Sequence, residues 1–366
     1  MSADPAARHS PTSGTAASRI DGLDLARGLA VLGMVGAHVG DQDAWPWLAV
    51  THGFPSALFA VLAGVSMTLM MTSRGRVRVA DVAPDHARRT RIRIAVRGAM
   101  LVVMGLALAL LGTPVVVILV NLGVMFWLTL PVLRVRTAWL LALASLCLGL
   151  GGYLAAKLAE AIPPDSVWGP SYPGIPIIGA LWGPYYPALA WMGYVLAGVC
   201  IGRLALNVDA TSLYLVGLAA CGFALARLAV MGAQAAGVDA WSWWIDLTDH
   251  SYSPPKMLGN VSVAAGIIGA SLWVARRARA AVWPILAVGS MALTAYVGHL
   301  IVIAAVGTEM VWEPTNAALV ALWAGIVLFC ALWRWRLGAG PLERWLTAWS
   351  TKAADARVPA RSGPVA

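Results

Sequence analysis

An all-α fold, a polytopic bundle of about ten transmembrane helices with both termini in the cytoplasm, is predicted by three observations. Of 366 residues, 60% are hydrophobic and only 12% are charged. Mean hydropathy is +0.75, and apolar runs of span length recur between short polar loops. Soluble chains carry about 25% charged residues, so half that value leaves too little polar surface to coat a water-soluble body of this length. A net charge of +9 would suit nucleic acid only if Lys and Arg gathered on a folded polar surface. With each span using about 20 residues, no separate domain remains to carry such a surface. Nucleic acid is excluded as a partner and the lipid bilayer is expected as one.

The elements follow in order. Residues 1–19 are rich in Ala, Ser, Thr and Pro without a compact apolar core, and read as a disordered cytoplasmic tail instead of a signal peptide. Apolar runs then occupy 23–39, 54–71, 94–111, 115–132, 139–158, 186–201, 213–231, 258–274, 282–305 and 317–333, within one domain over 20–340. A further apolar piece at 175–181 reads as partial or re-entrant and is left out of the count. In 341–366, Pro341, Leu342, Trp345, Leu346 and Trp349 have the spacing of an interfacial helix, followed by a disordered tail. Cys147, Cys200, Cys221 and Cys330 all fall inside apolar runs without C-x-x-C spacing, which indicates neither a disulfide framework nor zinc.

Cytoplasmic loops carry the excess of Lys and Arg. The loop after the second span holds Arg74, Arg76, Arg78, Arg88, Arg89, Arg91 and Arg93, and alternate later loops hold Arg134 and Arg136, Arg203, Arg276, Arg277 and Arg279, then Arg334 and Arg336. The loops between them carry Asp41, Asp43, Glu160, Asp165, Asp239, Asp246, Asp249, Glu309 and Glu313, with Lys157 and Lys256 near span ends. An even number of spans satisfies this alternation.

An ionisable residue inside a span costs at least about 2.5 kcal/mol and usually faces a cavity or a partner. The first span holds Asp24, Arg27 and His38. At about 100° per residue His38 falls within roughly 20° of Arg27, with Asp24 about 60° to the other side; at about 1.5 Å per residue, Arg27 and His38 stand about 16 Å apart along the axis. One helix face thus carries a polar track from the cytoplasmic end. Asp24 and Arg27 also suit an interfacial ion pair three residues apart. Asp41, one turn past His38, is placed to orient its imidazole as a general base requires. His52 returns to the same membrane face in the loop before the second span, His299 sits in the outer part of the ninth, and His250 lies in a long outer loop. Trp243 and Trp244 in that loop, beside Trp241, read either as an interfacial belt or as a platform for a sugar or lipid. Arg227, in a span without an acid, reads either as a buried structural cation or as a substrate ligand. Asn121 suits a bond to a neighbouring helix. No H-x-x-x-H or H-x-x-E-H spacing exists, so no metal is expected.

The run Asp24-Leu25-Ala26-Arg27-Gly28-Leu29-Ala30, with ten residues between Arg27 and His38, resembles the first-helix signature of the membrane-embedded acyltransferase superfamily. That superfamily includes heparan-α-glucosaminide N-acetyltransferase and the bacterial acyltransferase-three enzymes. LFAVLAGVSMTL and PALAWMGYVLAGVCIGR are similar to helices of the glucosaminide branch, and GSMALTAYVGH resembles the closing Ser, Tyr and His pattern of acyltransferase-three, which places His299 on its terminal His. The likeness is scattered over about residues 20 to 305. The glucosaminide branch has Asn at the position of His38 and its catalytic His in the following outer loop, where this chain offers His52 at a different spacing; His38 is favoured over His52.

The resemblance implies transfer of an acyl group, usually acetyl from acetyl-CoA inside, to a hydroxyl or amine of a glycan, glycolipid or similar acceptor outside. Under that reading His38, Arg27, Asp24, His52 and His299 are the catalytic candidates. His250, Arg227, Asp41, Trp243 and Trp244 are candidates for the acceptor, and Arg27, Arg88, Arg89 and Arg91 for acyl-CoA, with Arg93 beside them. Positive-inside bias alone also accounts for the loop arginines. A proton-coupled transporter or flippase using Asp24, Arg27, Arg227 and His299 is the alternative; no internal repeat supports it. A homodimer is left open.

Overall fold

The computed structural model describes residues 19–73, 75, 77–163, 176–239, 242–248 and 250–358. The tail over 1–18, Arg74, Arg76, Asp165, Ile175, Trp241, Asp249 and the residues after 358 lie outside the described residues. Those described form α-helices and connecting turns, with no strand among them. In chain order the helices are α1 (Asp21–Val39), α2 (Phe54–Met71), α3 (Pro84–Ala109), α4 (Leu119–Thr129), α5 (Thr137–Ala161), α6 (Pro176–Trp182) and α7 (Ala188–Ile201). They continue with α8 (Asp209–Ala235), α9 (Pro254–Arg277), α10 (Arg279–Ser290), α11 (Ala292–Val306), α12 (Glu309–Trp312), α13 (Asn316–Leu337) and α14 (Pro341–Arg357). Proline in the first turn, where its missing N–H is no loss, starts α2, α3, α9 and α14. Ser253 and Thr315 cap α9 and α13 through their hydroxyl oxygens.

Among the described residues, seven helical stretches are long and apolar enough to cross a membrane, and the bent pair of α10 and α11 makes an eighth if it counts as one span. Each of the ten expected runs is helical, yet two are short. α4 has 11 residues and α7 has 14, about 16 and 21 Å at 1.5 Å per residue, against a hydrocarbon core of about 30 Å. Around Pro114, residues 111–118 stay outside the helix, which trims the expected span at 115–132. The piece expected at 175–181 contributes the seven-residue α6.

The expected continuous span over 282–305 is instead broken at Met291, where α11 turns by 72° from α10. The break has its own support. Glu343, in the first turn of α14, accepts from the backbone N–H groups of Leu293 (2.8 Å) and Thr294 (3.1 Å) and from the Thr294 hydroxyl (2.6 Å). Its carboxylate thereby satisfies the first turn of α11, where a negative charge is favoured. The C-terminal helix is therefore pinned to the bundle, with Leu342 and Leu346 against the core and Trp345 and Trp349 exposed.

α1 lies at the centre, packed on α2, α9, α10, α11 and α13. Two close approaches depend on glycine: a side chain at Gly289 would overlap the Asp24 carbonyl of α1, and one at Gly64 of α2 would overlap the Val195 carbonyl of α7. The span window of α1 is 67% buried, while those of α5, α8 and α13 are 28%, 22% and 22% buried. Those three present Leu, Phe, Tyr and Trp side chains outward, as a lipid-facing rim does.

Candidate active site

Two cavities lie along α1, α2 and α11. The larger, about 920 Å³, opens among arginines: Arg19, Arg27, Arg93, Arg97 and Arg344 line it, with Asp24 and Glu343. Asp24 is 1% exposed and bridges two of them. Arg19 donates to it through Nε at 2.6 Å, and Arg27 through Nη1 at 2.7 Å. Arg27 also donates to the Ser66 hydroxyl of α2 at 2.8 Å, and Arg19 to the Ser290 carbonyl at the end of α10 at 3.1 Å. Through these two arginines the buried carboxylate is linked to α2 and to the end of α10. Opposite, Arg93 and Arg97 stand one turn apart on α3. Arg97 donates to Ser350 (3.2 Å) and Thr347 (3.1 Å) of α14, whereas the buried Arg93 Nε has no hydrogen-bond partner among the described residues.

The smaller cavity, about 260 Å³, is lined by His38, His52, His250, Tyr252, Lys256 and Asn260 among others. His38 Nδ1 lies 3.2 Å from His299 Nε2, and the two rings stack with centroids 5.4 Å apart. His299 is wholly buried, and the edge of its ring meets Tyr296 at 5.2 Å. Of the two directions this contact allows, donation from Nδ1–H of His38 to Nε2 of His299 is the one that makes Nε2 of His38 a base.

His52 pairs with Gln42 across the cavity mouth. The Tyr252 hydroxyl donates to the Pro184 carbonyl (3.3 Å), accepts from the Tyr186 backbone N–H (3.1 Å) and lies 3.0 Å from His250 Nδ1. Burial pushes the Tyr252 phenol up, so it stays protonated. Tyr186, His250 and Tyr252 all have positive φ, at 57°, 61° and 53°. Non-glycine residues held this way cost of order 1–3 kcal/mol each and cluster at ligand sites. Deeper in, Asn260 donates to the Tyr194 hydroxyl at 3.0 Å, and its buried Oδ1 is without a partner among the described residues.

Residues 19–238, more than half of the chain, match the family described as heparan-alpha-glucosaminide N-acetyltransferase, catalytic. The chain belongs to that family. Residues 203–352 match a second family, a protein of unknown function (DUF418), and no curated protein matches the chain significantly. Membership of the glucosaminide N-acetyltransferase family implies acetyltransferase-type activity in a multi-pass membrane protein.

Within this family member the structure sorts the candidate residues. His38, His52 and His250 line one cavity, with His299 buried behind His38, and Asp24 and Arg27 line the other. The single polar track expected along α1 is interrupted, because Ala30 and Val31, between Arg27 and His38, are fully buried in the core. Asp41 does not orient His38: its carboxylate accepts from the backbone N–H groups of Asp43 and Ala44, and its backbone bonds Asn316. Arg227 is exposed on α8, one of the three rim helices, and lines neither cavity. Trp243 and Trp244 pack on Tyr153 of α5, away from the cavity, as belt residues do.

Arg88 and Arg91 point outward from α3, and Arg89 bonds the Val358 carbonyl and pairs with Asp355 at 3.0 Å, so none of the three lines the arginine cavity. Arg93 does. Asn121 bonds the carbonyls of Tyr185 and Tyr186, in a loop and not a helix. Sequence reasoning missed Arg19, Ser66, Arg97, Asn260 and Glu343. Arg97 carried a signal, four residues after Arg93 and so on the same helix face.

Proposed function

We propose that the protein takes an acyl group, acetyl foremost, from acyl-CoA held in the arginine cavity and transfers it to a hydroxyl or amine of an acceptor in the histidine cavity. The observation that carries this reading is the placement of the two cavities on the same helices, with cations lining one and an imidazole lining the other. The larger cavity has the volume of a cofactor-sized site. Arg93, whose buried Nε lacks a partner, with Arg19, Arg97 and Arg344, offers charge-assisted hydrogen bonds to phosphate oxygens.

His38 Nε2 then takes the proton of the acceptor O–H or N–H as that atom attacks the thioester carbonyl carbon. The new C–O or C–N bond forms, the C–S bond breaks, and the departing CoA sulfur receives the proton from His38. Acyl-S-CoA and acceptor-H become acyl-acceptor and HS-CoA, with every atom retained. Positive-inside bias assigns the arginine end, both termini and α14 to the cytoplasm. Ten crossings, counting α4 and α7, put the histidine end and a glycan, glycolipid or similar acceptor outside.

A thermal-shift series separates this from other functions. Acetyl-CoA is expected to stabilise the purified protein as ligand exceeds Kd, with unrelated nucleotides giving no comparable shift. Equal shifts from all of them, or none from any acyl-CoA, would overturn the donor assignment.

A further inference from the structure

One ring pair joins the linings of the two cavities. Phe59 of α2 lines the arginine cavity and Tyr296 of α11 lines the histidine cavity. Their rings stack with centroids 6.3 Å apart and planes 24° from parallel. Along α2, Ser56 lines the histidine cavity, and Phe59, Leu62, Ala63 and Ser66 line the arginine cavity. Tyr296 is 1% exposed and also holds the edge of His299, while Phe59 is only partly buried. Tyr296 is therefore fixed to the histidine pair and Phe59 has room to turn.

We propose that Phe59 and Tyr296 form the constriction through which the donor's acyl arm reaches His38, with Phe59 the residue that sets the rate of passage and the acyl size admitted; this rests on the acyl-CoA reading above. Arg27 and His38 are about 16 Å apart along α1 at 1.5 Å per residue, so a CoA anchored by its phosphates among the arginines must send its thioester past this ring pair. The cavity beyond, about 260 Å³, lies below the roughly 300–1,000 Å³ of sites for drug-sized ligands, which suits a short acyl group with part of an acceptor. A closed ring pair also keeps water on the arginine side away from the reacting centre.

The test uses bromoacetyl-CoA on the full chain, with no acceptor required. The imidazole nitrogen of His38 attacks the CH2 carbon, a C–N bond forms, the C–Br bond breaks, bromide leaves and the alkylated ring loses its proton to solvent. Mass spectrometry is expected to find the wild-type label on His38. Phe59→Trp is expected to slow labelling at least tenfold and Phe59→Ala to speed it at least threefold, each read at bromoacetyl-CoA saturating for that protein. A folding defect cannot produce both signs. Equal labelling rates in the three proteins, or no label on His38 in wild type that CoA stabilises, would overturn the constriction alone. Absence of stabilisation by CoA or acetyl-CoA would overturn the donor reading and the constriction with it.

Discussion

The two cavities are built on the same helices, α1, α2 and α11, and differ in their charge. At the arginine end Arg19, Arg27, Arg93, Arg97 and Arg344 face two carboxylates, of which Glu343 is committed to the first turn of α11. At the histidine end the polar groups are imidazoles, phenols, hydroxyls, an indole, an amide and Lys256, which donates to the Leu247 carbonyl at 3.0 Å. Fixed charge suits recognition of an anion, and a titratable ring with one committed nitrogen suits moving a proton. The difference teaches that one continuous set of helices divides binding from chemistry by depth. It makes a sharp demand: substitutions at one end should spare the property of the other.

The largest effect is expected at His38. His38→Ala removes the base and is expected to lower acyl transfer by about 10²–10⁴-fold, measured as CoA release with membranes supplying acceptor. Stabilisation by acetyl-CoA should persist, because no imidazole of the dyad lines the arginine cavity. Full activity in this variant would remove His38 as the base and pass the role to His52.

Next comes Asp24. Asp24→Leu leaves Arg27, 23% exposed, without its anion among α1, α2 and α10. Breaking a buried pair from one side costs about 3–5 kcal/mol, read as a lowered Tm, and stabilisation by acetyl-CoA should fall with it. A Tm unchanged from wild type would show that Ser66 and solvent suffice for Arg27 and that the carboxylate does not organise this end.

How far these residues were legible in the sequence follows from the range of the forces that place them. Helix positions came from hydrophobic runs, a local signal, and every expected run is helical. The break at Met291 was not legible, because the carboxylate that supports it comes from Glu343, fifty residues later. His38 and His299 each stood out as imidazoles in apolar runs, yet their hydrogen bond joins residues 261 apart in sequence and no spacing rule reaches that far. Asp41 misled for the opposite reason: it is one turn from His38, but the chain leaves the helix at Gly40, and a turn claims its carboxylate.

A smaller effect separates the two arginines of α3 from the rest of the basic loop. Hydrogen bonds to charged groups are worth about 1.5–3 kcal/mol each, so replacing Arg93 and Arg97 together with Met is expected to weaken acetyl-CoA binding by at least tenfold in calorimetry. Replacing the outward-facing Arg88 and Arg91 in the same way should change it less than twofold. Labelling of His38 at saturating bromoacetyl-CoA should be unaltered in both. Equal losses from the two pairs would mean that the whole basic surface acts as a diffuse field and that the cavity does not select the anion.

The smallest effect is expected at Arg227, and it tests the boundary of the comparison. A cation in a span is a functional candidate by default, and sequence alone left Arg227 either a buried structural cation or a substrate ligand. It stands exposed on α8, a helix that packs chiefly on α9 and turns the rest of its surface outward. A side chain there reaches the interface by its aliphatic stem and leaves the bundle unaffected. Arg227→Leu should therefore shift stability by no more than about 0.5 kcal/mol and leave both acetyl-CoA binding and acyl transfer within twofold of wild type. Loss of transfer with binding intact would place α8 beside the acceptor, and the histidine cavity would then extend to α8.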